Sequence, residues 1–551
     1  MNIYVNQVGY LTNASKKAIS TAPCNFQLIR TSDQHCVYDG VTTSFGMDSS
    51  AGESVYILDF SEVTAAGSYY LLSGVDFKSP VFSIGDHVYQ DLKNDMLKAL
   101  YYQRCGCALT EEYAGIYTHA ACHTAPAVFL ADYLSKTPNP VSFDMTGGWH
   151  DAGDFGRYTS PAAVAVAHLL YAYTLFPGGF WETINIPESG NGMPDVLNEC
   201  LYEINWLFKM QAPDGGTYHK LTSFTHADFE MPEEDKLPFL IYPVSSMATA
   251  DFAAMMALVS RVYAPFDKLL SEKAKNAAQK AYQWLVTHPY TGFHNPEGCN
   301  TGEYDDTSDQ DERFWAAAEL LVTDPEHSTL YLTDLLHYKA VMAHPDFGWT
   351  DTSALGMLAP LFDEQSPLSD SLRREWETAL FAEADRLLSL QKESGYQLSM
   401  KPEDFVWGSN MVVCNRAMLF IAASLYMTQN PVTVTSTSVD TYKTAALDHL
   451  HYLLGRNALG ISYVTGYGEH AYRNPHNRPT ACDGIDDPMP GWVSGGPNKA
   501  PCDPAANKAI PDGTAAMKCY VDDVESYSTN EITIYWNSPA IFMAAYFDSS
   551  L

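Results

Sequence analysis

Phe82-Ser83-Ile84-Gly85-Asp86-His87-Val88-Tyr89-Gln90-Asp91-Leu92-Lys93-Asn94-Asp95-Met96-Leu97-Lys98-Ala99-Leu100 is the stretch in which the hydrophobic period of the chain changes. Up to Ile84 apolar residues alternate as in a strand. From His87 to Gln103, Val88, Leu92, Met96, Leu97 and Leu100 fall on one helical face. The switch divides the 551 residues into a predicted β domain, 1–85, and a predicted helical domain, 86–551.

Upstream, Ile3 to Val8, Phe26 to Arg30, Ser54 to Phe60, Ser68 to Leu72 and Pro80 to Ile84 read as strands separated by Gly, Asp and Ser turns, the pattern of a small β-sandwich. Downstream, helical periodicity covers Pro161 to Leu175, Asp195 to Met210, Ser246 to Tyr263, Ser271 to Thr287, Asp309 to Val322, Ser328 to Ala343, Leu368 to Gln391, Ser409 to Met427, Thr441 to Leu454 and Ser538 to Tyr546. Shorter candidates lie near Cys122 to Leu134 and Thr350 to Leu358. No strand pattern recurs between the helices, which argues against a parallel α/β sheet. About a dozen helices can close as an inner and an outer ring, an (α/α)6 barrel. An open α-solenoid is the alternative, opposed by the lack of a fixed-length repeat. Long connections at 106–121, 138–157, 212–244, 289–308 and 459–531 carry Trp, Tyr, His and Asp, as functional loops do.

A formal charge of −34 disfavours nucleic acid and anionic membranes as partners. The eleven cysteines are irregularly spaced, and Cys105-Gly106-Cys107 lacks the second paired motif of a structural zinc site, so reduced thiols and no metal ligands are expected. Met1 to Gln7 already looks like a strand, and no uninterrupted apolar run reaches membrane-spanning length, from which a cytoplasmic location is expected. No Gly-rich phosphate loop follows a strand, so no nucleotide or redox cofactor is indicated.

Three segments carry chemistry. Gly147-Gly148-Trp149-His150-Asp151-Ala152-Gly153-Asp154-Phe155-Gly156-Arg157-Tyr158 places two carboxylates three residues apart among glycines and aromatics, a surface suited to hydroxyl-rich rings or, more plainly, a Gly-rich turn capping the next helix. Tyr463 to Gly468 is followed by Pro475-His476-Asn477-Arg478-Pro479, in which His476 and Arg478 can donate to one ligand. Asp522 to Glu531 runs into Tyr535-Trp536-Asn537, and Glu531 sits where partial burial would keep a carboxyl protonated.

Taken in order, these segments resemble glycoside hydrolase family 9: the Asp-Ala-Gly-Asp motif, the His-x-Arg loop and the late Asn-Glu pair. Val5-Asn6-Gln7-Val8-Gly9-Tyr10 resembles the start of that family's immunoglobulin-like module, and Arg313 to Leu320 its inner-ring helix. The resemblance implies an inverting hydrolase in which Asp154 is the general base, Asp151 helps to hold the same water, Glu531 is the general acid, and His476 and Arg478 hold sugar hydroxyls. Trp149, His150, Tyr467 and Tyr527 complete the expected substrate-binding set. His150 stands where the family more often has Tyr, and Asn477 where a second His is usual, so both bear on the substrate. Structural calcium, common in the family, stays open, although no EF-hand-like spacing is present.

A cytoplasmic member would trim short oligosaccharides. The architecture resembles the family's exo-acting branch that releases glucosamine from chitosan oligosaccharides, so the resemblance implies an exo-β-D-glucosaminidase, the substrate ammonium met by a carboxylate from Asp228 to Asp235 or Glu303 to Glu312. The alternatives are an endo-β-1,4-glucanase or cello-oligosaccharide β-glucosidase and, in another class, a non-catalytic sugar sensor or a lyase. A sensor has little reason to keep Asp151, Asp154 and Glu531 together, and a uronate lyase would want more basic groups.

Overall fold

The computed structural model describes residues 1–74, 76–363 and 365–549. They form two compact units. One comprises residues 1–99, 384–480 and 485–551, the other residues 100–383 and 481–484.

In the first unit the N-terminal strands make two sheets. Ile3–Tyr4, Lys17–Ser20, Glu53–Asp59 and Thr43–Asp48 are neighbours in one. Gly9–Tyr10, Phe82–Ile84, Gly67–Ser73, Asn25–Arg30 and Cys36–Val41 are neighbours in the other, with Phe77–Lys78 paired to Gly67–Ser73. Inward-facing Tyr10, Phe26, Leu28, Leu58, Phe60, Tyr69, Leu71 and Phe82 fill the space between them. Lys17–Ser20, Cys36–Val41 and Thr43–Asp48 escaped the sequence reading, the last two because their side chains are largely half-buried or exposed and give no clean alternation.

The expected first strand, Ile3 to Val8, is broken. Ile3–Tyr4 belongs to one sheet and Gly9–Tyr10 to the other. Asn6 makes the break: its buried Oδ1 accepts from the backbone N–H groups of Val8 at 2.9 Å and Gly9 at 3.0 Å, an Asx-type turn. Its Nδ2 donates to the Tyr89 hydroxyl at 3.2 Å and to Nδ1 of His451 at 2.9 Å. Burial holds the His451 imidazole neutral, so that nitrogen is free to accept.

The helices fall into two kinds. Ser409–Gln429 and Ile534–Ser549 in the first unit, and Thr159–Leu175 and Ser246–Tyr263 in the second, are buried over most of their surface. Lys268–Thr287 buries one face (Leu270, Ala274, Ala277, Ala278, Ala281, Tyr282, Trp284, Leu285) and turns the other towards solvent. Its start is set by Asp267, whose carboxylate accepts from the N–H groups of Leu269 and Leu270, a cap worth about 1 kcal/mol. Ser246–Tyr263 packs on Thr159–Leu175, Lys268–Thr287 and Gln310–Thr323, and Ser409–Gln429 on Val439–Leu453 and Ile534–Ser549. Ser409–Gln429 is long and apolar enough to cross a membrane by length and composition, and most of it is buried inside the unit.

Two expectations fail in the second unit. Cys122 to Leu134 is not one helix: Ala127–Phe129 is a strand and only Leu130–Ser135 is helical. Strands also recur between the helices, in a five-stranded sheet ordered Ser142–Phe143, Ala127–Phe129, Leu240–Ile241, Lys220–Thr222, Arg157–Tyr158. Each strand is two or three residues long, too short to show alternation in the sequence.

Replacing Asn6 by Ala removes the turn and leaves the buried Tyr89 hydroxyl and His451 nitrogen one partner short. A loss of about 2–4 kcal/mol in the denaturant-unfolding free energy is expected.

Candidate functional site

Gly147 to Tyr158 is a tightly bound loop. Gly147 and Gly148 adopt φ of 103° and 78°, and a Cβ on Gly148 would lie 2.8 Å from the Trp206 ring. The backbone is pinned on one side by Cys105 N–H to the Gly148 carbonyl, 2.7 Å, and His150 N–H to the Gln103 carbonyl, 2.8 Å. Arg157, itself buried, returns its guanidinium to the carbonyls of Met145 and Gly147.

This architecture buries both aspartates. Asp151 is 1% and Asp154 8% exposed. Burial first, then the neighbouring Asp154 charge, pushes the Asp151 carboxyl well above the usual carboxylate range, against the lowering effect of a hydrogen bond donated by the Tyr304 hydroxyl to Oδ2. Asp154 Oδ2 lies 3.3 Å from Nδ1 of His226 and 3.5 Å from the Tyr158 hydroxyl. Tyr304 and His226 were not anticipated. They belong to the loops at 289–308 and 212–244, which were flagged as functional, but neither sits in a motif.

Two expected sugar contacts in this stretch are corrected. Trp149 is buried, with Nε1 donating to Glu199 Oε1 at 2.8 Å and its backbone N–H to Glu203. Glu199 in turn pairs with Arg104 at 2.8 Å. His150 is 2% exposed and faces inward, its Nε2 3.2 Å from Nδ1 of His123. His123 Nδ1 is 3.7 Å from Cys105 Sγ, and one ligand atom each of Cys105, Cys122, His123 and His150 lies within 4.8 Å of all the others. Those separations match the edges of a tetrahedron around Zn2+, about 3.3 Å between nitrogens and about 3.5 Å between nitrogen and sulfur. The far nitrogen of His123 meets Asp235 at 3.2 Å, the carboxylate partner that orients a ligating imidazole. The four residues fit a structural zinc ion, a set of ligands that the sequence reading did not name. The Cys105-Gly106-Cys107 spacing was uninformative because the ligands come from three separated places in the chain.

Oxygen donors collect at the start of helix Gln310–Thr323. Asp251 and Glu312 are buried, and neither carboxylate accepts a hydrogen bond of ordinary geometry. Asp306 and Asp311 raise their pKa further, on top of burial. Asp351, beside Asp311, is pushed up to about 7, again by burial first. Oxygen donors are the kind Ca2+ takes, and the structural calcium left open by the sequence stays open.

In the other unit, His476 and Glu531 are bridged as neighbouring extended residues. The His476 N–H donates to the Asn530 carbonyl at 2.9 Å, and the Gly495 N–H to the Glu531 carbonyl at 2.9 Å. His476 Nδ1–H donates to the Val524 carbonyl at 2.6 Å, which fixes the ring and its tautomer. Glu531 and His476 are half-buried. Tyr527 stands 5.9 Å from the His476 ring and 5.4 Å from the exposed Trp407, an aromatic wall of which only Tyr527 was foreseen. Arg478 is buried at the first turn of helix Arg478–Cys482. Asn477 does not face a ligand: its Oδ1 accepts from the Thr480 N–H and hydroxyl and caps that helix. Tyr467 is also corrected, since its hydroxyl is committed to Asp95 at 2.6 Å and ties its loop to helix Gln90–Tyr102.

Raised carboxyl pKa values make the native state bind more protons than the unfolded chain between about pH 4 and the folded values, so stability falls as pH rises through that window. Above pH 7, where the buried neutral histidines His168, His219, His449 and His451 add little of the opposite slope, the melting temperature of divalent-free protein should decline towards pH 8, and added Ca2+ should raise it more at pH 8 than at pH 5. Metal analysis should find about one zinc per chain, and His150→Ala should lose it with a marked drop in melting temperature.

A family model described as glycosyl hydrolase family 9 matches residues 89–544, and one described as the cellulase N-terminal Ig-like domain matches residues 1–76. The chain is 40% identical over 560 residues to a cellodextrinase of Butyrivibrio fibrisolvens, covering 98% of each. It is 35% identical over 552 residues to endoglucanase D of Acetivibrio thermocellus, covering 99% of this chain and 83% of that one. A solved structure of AaCel9A in complex with cellobiose-like isofagomine matches with a TM-score of 0.91 and 36% identity over 100% of both chains. Enzymes of this family need no cofactor for catalysis. The chain belongs to glycoside hydrolase family 9: it is an inverting glycoside hydrolase built from an immunoglobulin-like β-sandwich and an (α/α)6 helical catalytic domain.

Proposed function

We propose that this enzyme hydrolyses β-1,4-linked glucans and acts on short cello-oligosaccharides. The observation that carries the reading is the end-to-end likeness to a cellodextrinase, joined by the likeness to endoglucanase D. It displaces the exo-β-D-glucosaminidase expectation. Several carboxylates that were to receive a substrate ammonium already have partners: Asp235 with His123, Glu303 with His294, Asp309 with Arg313, and Asp311 with the Thr352 N–H.

Asp154 is assigned as the general base. Its Oδ2 is taken up by His226 and Tyr158, which aims the carboxylate at the attacking water. Asp151, steadied by Tyr304, holds the same water. Glu531 is the general acid that gives its proton to the leaving oxygen, and it stands half-buried beside Tyr527. His476 and Arg478 hold sugar hydroxyls, and Trp407 with Tyr527 supplies the face on which a pyranose ring stacks.

Glu531→Gln should lower kcat on cellotetraose by about 10²–10⁴-fold with little change in binding measured by calorimetry. Asp154→Asn should do the same. Product analysis of paired cello- and chitosan oligosaccharides should show β-bonds cut to α-configured glucose or cello-oligosaccharide products. Faster release of glucosamine than of glucan products would overturn the substrate assignment, and full activity of the Gln variant would overturn the role of Glu531.

A further inference from the structure

The segment Asn295–Asp305 has no helix or strand of its own, yet it delivers the Tyr304 hydroxyl to Asp151. Tyr304 has a φ of 50°, the left-handed region in which a non-glycine residue is held only if its neighbours hold it. Two consecutive residues hold them, His219 just ahead of strand Lys220–Thr222 and Lys220 at its start. His219 is 2% exposed. Its Nε2 lies 2.8 Å from the Glu303 carbonyl, which can only accept, so Nε2 carries the proton and Nδ1 accepts from the Ser245 hydroxyl at 2.9 Å. The ring is stacked on Phe293 at 4.1 Å.

Lys220 is completely buried. Its ammonium donates to Asn295 Oδ1 at 2.7 Å, the Gly302 carbonyl at 2.7 Å and Thr301 Oγ1 at 3.1 Å, and it lies 4.5 Å from the Tyr242 ring centroid. Burial pushes its pKa down to about 8. Among the described residues it has no ion-pair partner. Three neutral acceptors on one loop, rather than a carboxylate, are what this buried charge serves, and a buried ammonium is costly unless its donors are used.

Strand Lys220–Thr222, which begins at Lys220, also sets the other half of the site. Lys220 is the register partner of Tyr158 and Leu221 of Arg157, three residues beyond Asp154. Tyr158 packs against the Tyr304 ring at 4.6 Å, and a Cβ on Gly302 would lie 3.2 Å from the Tyr158 hydroxyl. One strand thus fixes the segment after Asp154 through its backbone and the loop before Tyr304 through its side chains.

We propose that His219 and Lys220 are positioning residues that clamp Thr301–Glu303 and, through Tyr304, set the orientation of Asp151 relative to Asp154. This rests on the reading of Asp151 and Asp154 as the water-holding pair. The clamp itself is tested without turnover. In the full-length protein Lys220→Met should raise amide hydrogen exchange across 295–305, and unchanged exchange there would overturn the proposal. On cellotetraose, Lys220→Met and Tyr304→Phe should each lower kcat by about 10- to 100-fold, with KM within about threefold. Lys220→Met added to Tyr304→Phe should cost little more than Tyr304→Phe alone. Fully multiplicative losses, or a change confined to KM, would overturn the route through Tyr304. Should Lys220→Met fail to fold, His219→Phe keeps the ring stack and removes the bond to Glu303, and the same exchange and kcat outcomes are required of it. Raised exchange with kcat unchanged would leave the clamp standing and sink its catalytic role, whereas an active Asp154→Asn variant would sink the water-holding reading separately.

Discussion

Asp151 is a carboxylate removed from water, and such a group is tolerated only where the protein supplies hydrogen bonds and fixed dipoles in place of solvent. Much of the second unit can be understood as that supply. The donor is Tyr304, Tyr304 depends on a loop with no regular structure, and the loop depends on a buried ammonium and a buried imidazole. The chain of dependence runs through neutral acceptors, so the charge of Lys220 is spread over the loop and does not neutralise the aspartates outright. Burial, with the Asp154 charge adding to it, keeps the Asp151 carboxyl well above its usual range.

Beneath the aspartates lies a second constraint. The four donors Cys105, Cys122, His123 and His150 surround the point where the backbone of 148–150 is bonded to 103–105. A zinc ion held there would lock His150, and with it the peptide leading into Asp151, without touching substrate. The role of His150 is then structural. Its departure from the family's usual Tyr concerns how the loop is braced and says nothing about which sugar is bound. Asn477 is the same lesson at the other end of the chain, a residue of apparent specificity that caps a helix.

How much was legible beforehand follows from the range of each signal. Long buried or amphipathic helices such as Ser246–Tyr263 announced themselves, because their period repeats over four or more turns. The two- and three-residue strands of the second unit did not, although Lys220 and Tyr158 are carried there. Asp151, Asp154, His476 and Glu531 stood out as candidates because they lie in contiguous motifs. Tyr304 and His226 beside the aspartates, and Trp407 beside Tyr527, were not, because each comes alone from a loop whose course is set by distant contacts.

The sequence by itself determined the order of domains, the helical content and the carboxylates available for hydrolysis, since hydrophobic period and local motif are properties of neighbouring residues. Tertiary structure alone decided which aromatics face inward, which cysteines and histidines share a centre, and which carboxylates are already taken. Those outcomes depend on burial and on partners tens of residues away, as when Lys220 reaches Gly302 or His123 meets His150.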